Sequence, residues 1–146
     1  MASRPILLVE DNPDDEELIL LALKDHNIAN EIMVARDGVE ALDYIFATGK
    51  FAGRAQSATP ALVLLDLKLP KLSGMDVLKR LREDPRTKTI PVVILTSSNE
   101  ERDLINTYNL GANSFVRKPV DFHEFQKVVK EIGVYWLLVN QPPIFE

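Results

Sequence analysis

At 146 residues the chain has the length of one domain, with no room for a second folded unit. Its composition, 46% hydrophobic and 27% charged, sits near globular averages and excludes disordered, collagenous or low-complexity classes. Seventeen Lys+Arg against 22 Asp+Glu leave a net charge of −5, which argues against a nucleic-acid partner, and the lack of Cys excludes thiol chemistry.

In chain order, short apolar runs alternate five times with amphipathic stretches. Ile6 to Val9 reads as a first strand, and Asn12-Pro13 caps a first helix whose Asp14 and Asp15 suit the positive end and read as a solvated first turn. Ile32 to Ala35 is the second strand; Asp37 caps a second helix with Val39, Leu42, Ile45 and Phe46 on one face. The segment Gly49 to Pro60 exceeds an ordinary connection and reads as a tolerated surface insertion. Leu62 to Leu65 is the third strand, followed by a helix capped by Ser73, and Val92 to Leu95 the fourth, followed by one capped by Asn99. In that fourth helix Leu104, Ile105 and Tyr108 share a face. Ser114 to Arg117 is a weaker fifth strand, and Asp121 caps the last helix. Strands apolar on both faces, joined by helical crossovers, predict an α/β doubly wound parallel sheet. No stretch approaches a membrane span of ~18 apolar residues, and the N-terminus lacks the apolar core of a signal peptide, so the chain reads as cytoplasmic.

In such a sheet ligands bind beyond the carboxyl ends of the strands. Those ends carry Glu10-Asp11, Asp66, Thr96-Ser97-Ser98 and Lys118-Pro119. Convergent carboxylates repel one another unless a cation neutralises them. An all-oxygen donor set suits Mg2+, held by Asp11 and Asp66, with Glu10 acting through a water or merely filling the acidic pocket. Asp66 is then placed to attack phosphorus and form an aspartyl phosphate. Thr96 and Lys118 would meet the charge on the phosphoryl oxygens. His26 and His123 have no ligand partner at useful spacing and read as surface residues.

With LLVEDNPDD, VLLDLKLPKLSGMDVL, VVILT and FVRKPVD in place, the chain resembles the two-component response regulator receiver domain over essentially its whole length. The resemblance implies five strands in the order 2-1-3-4-5 flanked by five helices. It implies Glu10 and Asp11 as the acidic metal pair, Asp66 as phosphoacceptor and the Lys68 backbone carbonyl as a further metal ligand. Thr96 and Phe115 become the switch pair, with Phe where many members carry Tyr, and Lys118 the essential lysine, before a cis peptide to Pro119. VEDNPDDEEL, the extended loop and the ending YWLLVNQPP are most similar to stand-alone phytochrome response regulators. That implies a phytochrome-type sensor histidine kinase as donor, an unidentified downstream protein, and residues 1–146 as one receiver with no output domain.

In the last helix Phe122, Phe125, Val129, Ile132, Trp136 and Val139 form a sheet-facing stripe. Val134, Tyr135, Leu137 and Leu138 lie off it, which predicts a homodimer interface anchored by Tyr135, Trp136 and Leu138, the rival being cover by the tail from Asn140 to Glu146. Two rival functions are a haloacid dehalogenase-type phosphatase, which wants a second Asp where Lys68 stands, and an interaction module with a vestigial pocket.

Overall fold

A computed structural model describes residues 4–24, 30–55 and 59–141, so His26 and the tail beyond 141 lie outside the described residues. Five strands, β1 (Ile6–Val9), β2 (Ile32–Ala35), β3 (Leu62–Leu65), β4 (Val92–Thr96) and β5 (Ser114–Arg117), form one sheet in the order β2-β1-β3-β4-β5. Every pairing is parallel, with Leu8 opposite Val34 and Leu64, Leu65 opposite Ile94, and Ile94 opposite Phe115. The helices are α1 (Pro13–Lys24), α2 (Gly38–Phe46), α3 (Gly74–Glu83), α4 (Glu101–Asn109) and α5 (Phe122–Val134), with a 3-10 turn at Gly49–Phe51 and a π-helical turn at Tyr135–Val139.

Alternation along each strand divides the core in two. Leu7, Val9, Val63, Leu65, Val92 and Ile94 face α2 and α3, meeting Leu42, Ile45, Val77, Leu78 and Leu81. Ile6, Leu8, Leu62, Leu64, Val93 and Leu95 face α1 and α5, meeting Ile19, Leu23, Phe125, Val129 and Ile132. Both faces are covered, which is why the three central strands carry no polar residue until Thr96 at the end of β4.

Four of the five predicted caps form. Asn12 Oδ1 accepts from the amides of Asp14 and Asp15 at 2.9 and 3.1 Å, and Asp37, Ser73 and Asp121 accept from Glu40, Asp76 and Glu124. The fifth does not: α4 starts after Glu100, without a side-chain cap bond from that residue, and Ser98 Oγ, not Asn99, accepts from the Glu100 amide at 3.3 Å. Part of Gly49 to Pro60 is firmly anchored, since the Arg54 guanidinium donates to the α2 carbonyls of Tyr44 and Ile45, each at 2.6 Å.

Three predicted apolar faces need correction. Val39 stands outside the α2 contact and is exposed, because the buried side of that helix runs through Ala41, Leu42, Tyr44 and Ile45. In α4, Ile105 and Tyr108 are half exposed and only Thr107 is buried, because that helix turns a polar position inward. In α5, Phe122 precedes the buried stretch and Val139 follows it, both exposed. The wider π turn, closed by the Asn140 amide on the Tyr135 carbonyl, breaks the 3.6-residue repeat and rotates Val139 off the stripe. No helix among the described residues is long and apolar enough to cross a membrane.

Candidate functional site

The sheet ladder places the chemistry. Just past the strands, the Glu10 amide donates to the Ala35 carbonyl at 3.0 Å, Asp66 to Val9 at 3.1 Å and Lys118 to Thr96 at 2.8 Å, so three chain segments 50 or more residues apart are set side by side. Gly74 completes the frame: a Cβ there would stand 2.1 Å from the Asp66 carbonyl oxygen, so only glycine lets α3 begin directly beneath that loop.

At the centre lies Lys118, its side chain only 6% exposed, with Nζ 2.7 Å from Glu10 Oε1, 2.9 Å from Asp15 Oδ2 and 2.9 Å from Asp66 Oδ2. Glu10 is 1% exposed and Asp66 6%, whereas Asp11 reaches solvent. Burial raises the Glu10 carboxyl well above the ordinary carboxylate range, although Lys118 opposes the shift. For Lys118 burial works against the charge, yet its bonds to Asp15, Glu10 and Asp66 outweigh this and raise its pKa. The ammonium therefore stays charged.

Glu10, Asp11 and Asp66 each offer a carboxylate oxygen within 4.8 Å of the others. With Asp15 they make four carboxylates against one ammonium, a negative surplus presented by hard oxygen donors. That chemistry fits a divalent cation such as Mg2+. Lys68 lies in the same turn, its amide donating to Asp66 Oδ1 at 3.4 Å. Thr96 ends β4 beside this group, fully buried, and its Oγ1 accepts from the Ser98 amide at 3.3 Å. Ser98 Oγ in turn donates to Asp103 Oδ2 of α4 at 2.6 Å. Phe115 is half-buried one strand over, on the face shared with α2 and α3.

The structure thus brings Glu10, Asp11, Asp66, Thr96 and Lys118 to one edge. Tyr135, Trp136 and Leu138 belong elsewhere, since α5 starts at that edge and carries them back past the sheet. The Lys118–Pro119 peptide is trans, contrary to expectation. Trans is the lower-energy isomer by about 0.5–1 kcal/mol, and Lys118 reaches all three carboxylates without leaving it. Asp15 also departs from the sequence reading: it is an ion-pair partner of Lys118 and not a solvated first-turn residue. The available signal was its place in the first turn of α1, where side chains tilt toward the helix N-terminus and so over the end of β1.

This fold and this edge define a class. The model of the response regulator receiver domain matches residues 6–130, and the chain belongs to that family. Its members are not turnover enzymes, which sets aside the phosphatase alternative. Among solved structures, the bacteriophytochrome response regulator AtBRR is 53% identical, with 97% of this chain and 100% of that one covered and a TM-score of 0.77. The phosphorylated cyanobacterial phytochrome response regulator RcpA is 38% identical, covering 98% and 100%, with a TM-score of 0.91. Rcp1 of Synechocystis sp., solved with Mn2+ bound, is 36% identical in that comparison, covering 97% and 99%, with a TM-score of 0.90.

Proposed function

We propose that this chain is a stand-alone receiver that accepts a phosphoryl group on Asp66 from a phytochrome-type sensor histidine kinase in the cytoplasm and signals by protein contact. One observation carries the reading: a buried lysine ammonium bridging Asp66 to a carboxylate cluster of metal-binding geometry. Relatives covered over nearly their whole length and described as phytochrome response regulators support the stand-alone and phytochrome parts.

In the transfer, an Asp66 carboxylate oxygen bonds to phosphorus while the P–N bond to the donor histidine breaks, and the electron pair stays on the imidazole nitrogen, which takes up a proton. Lys118 donates to the incoming phosphoryl oxygens, and Thr96 supplies a hydroxyl donor. Mg2+ held by Asp11, Asp66 and Glu10, with the Lys68 carbonyl, would neutralise charge on those oxygens when bound. Phe115 then follows Thr96 inward as an aromatic without a phenolic hydroxyl. Water later attacks phosphorus, the Asp66 O–P bond breaks with its electron pair returning to the carboxylate, and inorganic phosphate leaves.

An autophosphorylated phytochrome-type kinase mixed with this chain and Mg2+ should pass its phosphoryl group to the wild type and not to Asp66→Asn. Equal transfer to both would overturn the assignment.

The dimer is part of the same proposal. Tyr135 and Val139 are exposed and Leu138 is 69% exposed, forming an apolar surface that a second copy would cover, while Trp136 packs partly on its own core and backs it. Sedimentation should show a dimer that Leu138→Asp dissociates; an unchanged mass would refute the interface.

A further inference from the structure

Asp15 is the partner of Lys118 that the chemistry above leaves unused. An ammonium has three N–H donors, and Glu10, Asp15 and Asp66 supply one acceptor each at 2.7, 2.9 and 2.9 Å. The direction of every donor is therefore fixed. Glu10 and Asp66 belong to the carboxylate cluster suited to a metal, and Asp66 is also the proposed acceptor; Asp15 belongs to neither. It stands on a separate element, in a first turn of α1 held by Asn12 Oδ1 on the amides of Asp14 and Asp15. Its carboxylate is thus a braced arm reaching over the strand ends.

We infer that Asp15 is a positioning residue for phosphoryl transfer, holding the Lys118 ammonium against Asp66 from the helix side so that a countercharge is in place before the donor arrives. The inference rests on Asp66 being the phosphoacceptor. As the new O–P bond forms and the bond to the donor breaks, one Lys118 N–H moves from Asp66 Oδ2 to a phosphoryl oxygen, and no proton leaves the lysine. The bonds to Glu10 and Asp15 keep the ammonium in place through that exchange.

The test is the rate of phosphoryl uptake from acetyl phosphate with Mg2+, followed by intact mass, in wild type, Asp15→Asn, Asp15→Glu, Lys118→Met and the Asp15→Asn/Lys118→Met pair. Asp15→Asn, which keeps the shape and loses the charge, should slow uptake roughly tenfold or more. Asp15→Glu, which restores an anionic acceptor, should recover most of that loss. With Lys118 already replaced, Asp15→Asn should change the rate by less than about twofold, because the residue acts only through the lysine. An Asp15→Asn rate equal to wild type overturns the proposal, as does an equal slowing in both backgrounds or a Glu variant as slow as Asn. The Glu variant decides the matter without the Lys118→Met background. A wild type that takes up no phosphoryl group sinks the phosphoacceptor reading itself, whereas normal wild-type uptake with an indifferent Asp15→Asn sinks this inference alone.

Discussion

The edge around Lys118 and the helix α4 lie a few residues apart along the chain and are built on opposite terms. Glu10, Asp66, Thr96 and Lys118 are buried or nearly so, fixed by strand ladders, and no buried side-chain polar atom among the described residues lacks a partner. In α4 Thr107 is the only buried residue, with Ile105 51% and Tyr108 49% exposed. A short hydrogen-bonded link joins them: the Ser98 amide donates to Thr96 Oγ1, and Ser98 Oγ donates to Asp103. Segments with few buried apolar groups open at low free-energy cost, whereas ladder-held cores do not. A charge change at the rigid edge would thereby reach a helix with few buried groups, as the proposed signalling surface requires.

Core and surface substitutions should expose that contrast most strongly. Leu64→Ala, in the centre of the sheet, should cost about 2–5 kcal/mol in denaturant unfolding, and Ile105→Ala within about 0.5 kcal/mol. Comparable losses at the two sites would erase the distinction.

The negative surplus sharpens the comparison from the other side. Mg2+ at roughly a hundredfold its Kd should stabilise the wild type by about 2.7 kcal/mol in thermal unfolding. Asp11→Asn should lose most of that gain yet melt higher than wild type without metal, since it relieves repulsion within Glu10, Asp11 and Asp66. A metal-free variant that melts lower would contradict the electrostatic account.

A smaller effect belongs to α2, away from both regions. Asp37→Ala removes a side-chain cap and should cost about 1 kcal/mol at neutral pH. The backbone hydrogen bond from Glu40, aided by Lys71, holds the Asp37 carboxyl below its ordinary value. Its contribution is therefore present above the unfolded pKa of about 3.9 and is lost as pH falls through the lower folded value. The gap between wild type and variant in denaturant titrations should close below about pH 4, and a gap unchanged down to acid would refute the cap's charge.

What the sequence makes legible follows from periodicity and polarity. The runs at Ile6, Leu62 and Val92 are apolar on both faces, which announces a covered parallel sheet, and the acids and lysine that terminate them stand out because nothing in a core wants them. Asp15 is different, because a first-turn carboxylate has the same one-dimensional pattern whether it faces water or an ammonium from a residue 103 positions away. The α4 stripe misleads for a related reason: Leu104, Ile105 and Tyr108 have core-like spacing, but whether a sheet lies beneath them is settled by tertiary placement. The π turn at Tyr135 and the trans bond before Pro119 are local backbone choices among states that differ by little, and residue type alone does not decide them.

The most direct test is to incubate the protein with acetyl phosphate and Mg2+, count the phosphoryl groups gained by intact mass and map them by peptide. The account predicts a single group, on the peptide holding Asp66, absent when EDTA removes the metal. A group mapped to another residue, or gained at the same rate without a divalent cation, would contradict it.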